Sequence, residues 1–308
     1  MAALVAVVTD STACLPADLV AGRRIRVVPL RVVLAGRAVD EGPPGADATD
    51  AGPDAARAGG DAAGAGGDAA GTVTVADVEE ALRRGERVGT ASPAPERFAA
   101  AYAAAAAVGA AAIVSVHLSA RLSGTVNSAI LAARSAPVPV RVVDSQSIGM
   151  GLGLAVLSAA SAALAGQDAG AVATAAAGRA AALRSWFALD SAGPLRAGGR
   201  LGPPAPPGSA LTARPLLHVQ DGRIVPLEKV RTPSAAIRRL EQLAAGFAAG
   251  RPVDIAVQYL ADAERASALA GRLAGVIPAA RHIYLAAAGP VICAHTGPGM
   301  IGVVVAPA

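Results

Sequence analysis

Aromatic side chains are nearly missing from this sequence: Phe, Trp and Tyr together supply 2% of its 308 residues. Lysine is rarer still, with Lys229 standing alone among the arginines. A nucleic-acid surface needs rings to stack on bases and a basic run to meet phosphates. Neither is present, and a net charge of +4 is modest for the length, so no nucleic-acid partner is expected. Acidic residues are scattered among the arginines and leave no one-signed face. The two cysteines, Cys14 and Cys293, are far apart and form neither a CxxC nor a metal-ligand spacing, so no metal and no cofactor is expected. They suit a reducing cytoplasm, as small buried residues. The opening MAALVAVVTDS has no basic n-region and reaches Asp10 too soon for a secretory signal. The longest uncharged run, Phe98–Ala120, is mostly alanine and is divided by Gly109. A soluble, cytoplasmic protein is expected, with at most transient membrane contact.

Nucleotide motifs are also lacking. There is no GxxxxGK[ST], and Lys229 follows no glycine loop. Gly149-Met150-Gly151-Leu152-Gly153 is spaced GxGxG rather than GxGxxG, and these glycines read better as close helix packing. The GxSxG elbow of a hydrolase is absent too, since Ser123 lies in RLSGT.

What is there is an alternation of strand-like and helix-like segments. Ala3–Val8 is a continuous apolar run of the kind a buried parallel strand shows, and it ends in Thr9-Asp10-Ser11-Thr12. Asp10 and its hydroxyl neighbours can fix the following loop by Asx-type bonds. Ile25–Val33 reads as the second strand. Residues 42–71 hold no Leu, Ile, Val or aromatic side chain, so the segment cannot offset its ordering entropy and reads as a flexible surface insertion. Thr74 caps a helix with Val78, Ala81 and Leu82 as its apolar stripe. Ile113–Ser128 then runs from a buried strand through a polar loop into a helix. Such a loop, at the carboxyl end of a parallel strand, is where open α/β sheets place ligands. Its hydroxyls suit a plain N-cap by Ser123 or Thr125, and also an anion at a helix N-terminus.

In the second half, Ser185–Asp190 reads as a strand and Gly193–Gly202 as a glycine-arginine loop. Arg196 and Arg200 there suit a carboxylate or phosphate. Arg214–Val219 and Arg223–Val230 form a hairpin around Asp221-Gly222. A helix (Ile237–Phe247), a strand (Asp254–Leu260), a helix (Ala263–Leu273) and a strand (His282–Leu285) follow. Near the end, His295 lies beside Gly297 and Gly299, and Val303–Val305 reads as a strand.

Seven segments, in the family's order along the chain, resemble the motifs of the DegV family. TDSTACLP resembles its opening DSTADLP, with Cys14 in place of an acid. Thr90, Pro93 and Pro95 match its TSQPSP, whereas Ala91 and Ser92 depart from it. HLSARLSGTVNSA, VVDSQSIGMGLGLAV, RPLLHVQDGRIVPLEKVRT and HTGPGMIG resemble its remaining signatures, and Leu195–Gly202 its L-x-x-GGR loop.

The resemblance implies an α/β protein of two domains. A Rossmann-like parallel-sheet domain spans residues 1–149 and carries the insertion 42–71; a two-layer α/β domain with a mixed sheet spans 150–308. It implies a long-chain fatty acid held between the domains, with its carboxylate near Thr90, Ser123 and His295. Gly124, Thr125, Gly297 and Gly299 would support those loops, the two late glycines by letting the ligand approach. It further implies a carrier without catalytic residues that presents the carboxyl to a separate fatty-acid kinase, with Arg200 touching the kinase or the transferred phosphate. Among the head-group residues, Ser123 is expected to matter most. Two competing classes remain. One is a serine hydrolase built on Ser123, His295 and Asp10 or Asp144. The other is a ketone- or sugar-binding relative of the dihydroxyacetone kinases.

Overall fold

The computed structural model describes residues 4–43, 71–201 and 214–308. The chain alternates as the pattern requires. It begins β1 (Val5–Asp10), α1 (Ala17–Gly22), β2 (Arg26–Val28), β3 (Arg31–Leu34) and β4 (Arg37–Asp40). Then come α2 (Val75–Arg83), β5 (Val88–Ala91), α3 (Pro95–Ala107), β6 (Ala112–His117), α4 (Thr125–Ala133) and β7 (Val140–Asp144). The second half holds α5 (Met150–Leu164), α6 (Ala169–Ala182), β8 (Arg184–Ala188), α7 (Gly193–Ala197), β9 (Arg214–Gln220) and β10 (Arg223–Val230). It closes with α8 (Pro233–Ala248), β11 (Val253–Tyr259), α9 (Ala263–Val276), β12 (Ala280–Ala287), α10 (Pro290–Thr296) and β13 (Ile301–Pro307).

Three sheets result among the described residues. The first is wholly parallel, in the order β2-β1-β6-β7. Its central strands β1 and β6 are buried on both faces, which is why they read as apolar runs. Phe98, Tyr102 and Ala129 of α3 and α4 cover one face, packing on Val8 and Ile113. The other face meets α5, eleven of whose fifteen residues are buried. The second sheet is mixed, in the order β10-β9-β8-β13-β11-β12, with β11–β12 its one parallel pair among the described residues. Its side chains alternate between two cores: Trp186, Val303 and Val305 face α8 and α9, while Phe187, Val304 and Ala306 face α5 and α6. Helices α5 and α6 therefore lie between the two large sheets and serve both.

The third sheet, β4-β3-β5, is small and antiparallel. It corrects the reading of Ile25–Val33 as one strand. Pro29 has no N–H to give a ladder, and the chain breaks there, sending β2 and β3 into different sheets. Gly193–Gly202 is likewise more than a loop, because Pro194 at the first turn starts the short helix α7. Thr74 caps α2 as expected, in a reciprocal box with Asp77. Most of the insertion 42–71 and all of Pro203–Pro207 lie outside the described residues. The flanks of the insertion meet: Gly42 N–H donates to Val73 C=O at 2.8 Å, and Val73 N–H to Asp40 C=O at 3.0 Å.

Among the described residues no helix is long and apolar enough to cross a membrane. Both cysteines are buried and unpaired, and burial pushes each thiol up to about 12.

Candidate functional site

The three glycines that open α5 show why this junction needs them. Gly149 has a positive φ of 63°, and a Cβ there would run into Gln258 Oε1. Gly151 and Gly153 face Ser147 and the Ala13 carbonyl at separations that leave no room for a side chain. In the space at Gly149, Gln258 of β11 reaches across and accepts the first N–H of α5, from Met150, at 2.5 Å. The two large sheets are thus tied at the carboxyl ends of β6 and β7, the place where parallel sheets leave a crevice.

A cavity of about 110 Å³ lies in that crevice. Thr90 enters from β5, Ser92 from the turn after it, and Ser123 and Gly124 from the β6–α4 loop. His295 enters from α10, and Arg200 from the segment after α7. Leu30, Leu118, Leu122, Ile148, Phe187 and Val291 supply much of the apolar wall. Thr90 Oγ1 and His295 Nε2 are in direct hydrogen-bond contact at 2.7 Å, although 205 residues separate them. Ser123 Oγ bonds Ser92 Oγ at 2.9 Å and Thr125 Oγ1 at 2.9 Å. Burial, and then the charge of Arg200, lowers the His295 imidazole to about 4, so the ring is neutral at pH 7. A neutral imidazole beside a hydroxyl can donate one N–H to an anion, and the nearby guanidinium supplies the positive charge.

Thr90, Ser123, Gly124, His295 and Arg200 therefore share one cavity wall. Thr125 stands behind Ser123, fully buried. Gly297 and Gly299 do not line the cavity, which corrects their reading as places of ligand approach. They shape the turn after α10, with φ of 68° and 79°, and the group that crowds Gly299 is the Asp190 carboxylate. The cap of α4 is also corrected. Gly124 occupies the N-cap without a side chain, while Ser123 Oγ accepts the Thr125 N–H at 3.3 Å. Arg196, the other arginine of its loop, is exposed and lines no part of the cavity.

The hydrolase arrangement is not assembled. Asp10 is fully buried, and its Oδ2 pairs with His117 Nδ1 at 3.0 Å rather than with His295. Asp144 Oδ1 accepts backbone N–H groups of Ala120 and Gln146. His295 thus has Thr90 as its partner, where a triad would need Ser123 and a carboxylate. Among the described residues no three metal-ligating side chains gather.

Sequence reasoning missed Ser92, Gln258 and Glu41. Ser92 stood out only as a departure from a family motif. Gln258 and Glu41 lie in no motif; the signals that could have found them are single polar residues in strongly apolar or strand-end contexts.

Two large sheets sharing a helical layer, with a polar cluster in the crevice between them, define a class of two-sheet α/β proteins. The chain belongs to the DegV family: the family model described as "Uncharacterised protein, DegV family" matches residues 69–308. A DegV domain-containing protein of Streptomyces coelicolor is 46% identical over 302 residues, covering 98% of each chain. One from Mycobacterium tuberculosis is 35% identical over 303 residues, covering 98% of this chain and 96% of its own. Among solved structures, a fatty-acid-binding DegV family protein from Thermus thermophilus superposes with a TM-score of 0.81 at 28% identity, covering 99% of this chain and 100% of that one. DegV of Bacillus subtilis, a fatty acid binding protein, superposes with a TM-score of 0.80 at 25% identity and the same coverage.

Proposed function

We propose that this protein binds a long-chain fatty acid and presents its carboxyl group to a separate, ATP-using fatty-acid kinase that makes the acyl phosphate. The observation that carries the reading is the meeting of Thr90 and His295 at 2.7 Å, with Ser123 and Arg200 on the same small cavity. Three groups able to donate and one cation suit a carboxylate. Hydrogen bonds of this kind contribute about 1–3 kcal/mol each when one partner is charged. A cavity of about 110 Å³ has room for the head group and not for a long chain. A second, largely apolar cavity of about 850 Å³ lies back to back with it. Pro29 lines the large cavity and Leu30 the small one, and the Glu41–Val291 hydrogen bond spans the wall between them. Val5, Val7, Leu15, Val20 and Ile25 line the large cavity, and an acyl tail that reached it by parting this wall would gain roughly 0.8 kcal/mol per CH₂ removed from water. A sugar or small ketone would gain nothing from such walls, which favours the lipid over the dihydroxyacetone-kinase-like alternative.

The similarity to fatty-acid-binding proteins of Thermus thermophilus and Bacillus subtilis supports the ligand class. The kinase step rests on the family resemblance and on Arg200. In this reading the guanidinium serves the carboxylate as it arrives and the phosphate once it is attached. The expected result is that native mass spectrometry and solvent extraction of the purified protein recover a long-chain fatty acid. Recovery of none, together with no binding of added oleate, would end the proposal.

A further inference from the structure

Glu41 takes no part in the head-group cluster, yet its buried carboxyl joins two parts of the chain 250 residues apart. It follows β4 directly and is 6% exposed. One carboxyl oxygen accepts the Ser11 hydroxyl, and Ser11 Oγ in turn accepts the Leu30 N–H at 2.8 Å. The other oxygen accepts the N–H of Val291 at 3.0 Å. Val291 is the second residue of α10. Before it stand Pro290, which has no N–H, and Gly289, an N-cap with no side chain. The helix therefore has no local cap, and Glu41 supplies one. A Cβ on Gly289 would lie 2.8 Å from Glu41 Oε2, so a glycine at this N-cap is what lets the carboxyl approach.

The far end of the same helix carries His295, four residues and about 6 Å along the axis from Val291. A two-turn helix has little stability of its own, so packing of its buried residues holds it and its cap helps to fix where its first turn rests. We propose that Glu41 is a positioning residue for the head-group site: by capping α10 it holds the helix against β5, where His295 meets Thr90. The inference rests on the reading of Thr90 and His295 as carboxylate ligands.

Glu41 also makes the cap responsive to pH. Burial pushes its carboxyl up to about 7, and the negative charge of Asp10 adds to the rise. The titratable groups that face it are Asp10 at the end of β1 and Cys14 just after it; from α10 it meets the Val291 N–H. The Cys14 thiol stays neutral, since burial holds it near 12. The ionised carboxylate is the stronger acceptor at a helix start, but the cost of burying its charge outweighs that gain, which is why its pKa is raised. The buried cap is therefore held less firmly as Glu41 ionises, and the hold on His295 loosens as the pH rises through 7.

The test compares wild type with Glu41→Gln, Glu41→Ala and Gly289→Ala by two readouts. The first is the NMR titration of the His295 ring without ligand, assigned with His295→Gln. Glu41→Ala should raise it from about 4 toward the ordinary histidine value as the ring loses its burial, and Glu41→Gln should leave it nearly unmoved because its carboxamide oxygen still accepts from Val291. The second is oleate displacement of a fluorescent fatty acid between pH 6 and 8. Glu41→Ala should weaken the Kd by about fivefold to tenfold, the effect of one lost cap. Wild type should bind more tightly at pH 6 than at pH 8, and Glu41→Gln should show no such change. An Ala variant with wild-type titration and affinity overturns the proposal, as do parallel pH profiles for wild type and Glu41→Gln. If the ring responds to Glu41→Ala while no variant, wild type included, binds oleate, the positioning role stands and the carboxylate reading falls. Should Glu41→Ala fail to fold, Gly289→Ala crowds the same carboxyl, and an unmoved His295 titration in it counts against the proposal.

Discussion

Asp10, His117 and Ser115 in the parallel sheet, and Thr90, His295 and Ser123 at the crevice, share a histidine and hydroxyls and put them to different ends, with a carboxylate in the first alone. In the first cluster Asp10 accepts from Thr12 N–H at 3.1 Å, Thr12 Oγ1 at 2.5 Å and Leu118 N–H at 3.0 Å, and pairs with His117. His117 bonds Ser115 at 2.7 Å, and the Tyr102 hydroxyl donates to Ser115 at 2.9 Å. All six of these residues are buried, with 3% exposure or less. The second cluster is also hydrogen-bonded, but Thr90, Ser92, Ser123 and His295 border an open volume. A histidine–hydroxyl series marks a site only when something can reach it. Sealed, as at His117 and Ser115, it forms with Asp10 a polar strut that joins β1 and β6. Opened onto a cavity, it offers lone pairs and protons to a ligand.

The contrast is broken most directly at Asp10. Replacing it with Ala strands the buried donors of Thr12, Leu118 and His117, and should cost about 3–5 kcal/mol of stability in urea unfolding. A loss under about 1 kcal/mol would mean that the strut is dispensable. At the open cluster the balance reverses. Thr90→Ala and His295→Ala should each weaken fatty-acid binding by about 1–3 kcal/mol in competition titrations, with smaller changes in stability. Ser123→Ala should fall below them, contrary to the expectation that it matters most. Its N–H already donates to the Ser119 carbonyl, and its hydroxyl is shared between Ser92 and Thr125. The smallest effect belongs to the segment between the flanks Gly42 and Val73. Because those flanks are hydrogen-bonded to each other, replacing residues 44–70 with a short Gly/Ser linker should shift stability and binding by less than about 0.5 kcal/mol.

Much of this was legible in the sequence because periodicity is local. The apolar runs of β1 and β6, the Asp221-Gly222 hairpin and the Thr74 cap each announce themselves within a few residues. The Asx bonds of Asp10 were readable from TDST for the same reason. Its partnership with His117 was not, since it depends on β1 and β6 lying side by side. Thr90 and His295 could be named through family motifs, whereas their contact required β5 and α10 to pack together. Glu41 and Gln258 were illegible altogether. Each is a single polar residue whose partner is a backbone N–H far along the chain, and no local pattern encodes that. The break at Pro29 shows the opposite error, where a run of strand-forming residues hid a change of sheet.

Among the described residues strand β13 follows every other strand in sequence, yet it lies inside the mixed sheet, hydrogen-bonded to β8 on one side and β11 on the other. Val303 pairs with Trp186, more than a hundred residues earlier. During synthesis β8 and β11 emerge with a gap between them that nothing made so far can fill. Until β13 arrives, two strand edges stand open, the kind of surface that recruits chaperones or pairs wrongly. α10, with His295 at its end, immediately precedes β13 and settles at the same late stage. The nascent chain therefore has no finished crevice to occupy, and ligand capture is confined to molecules whose mixed sheet has already closed.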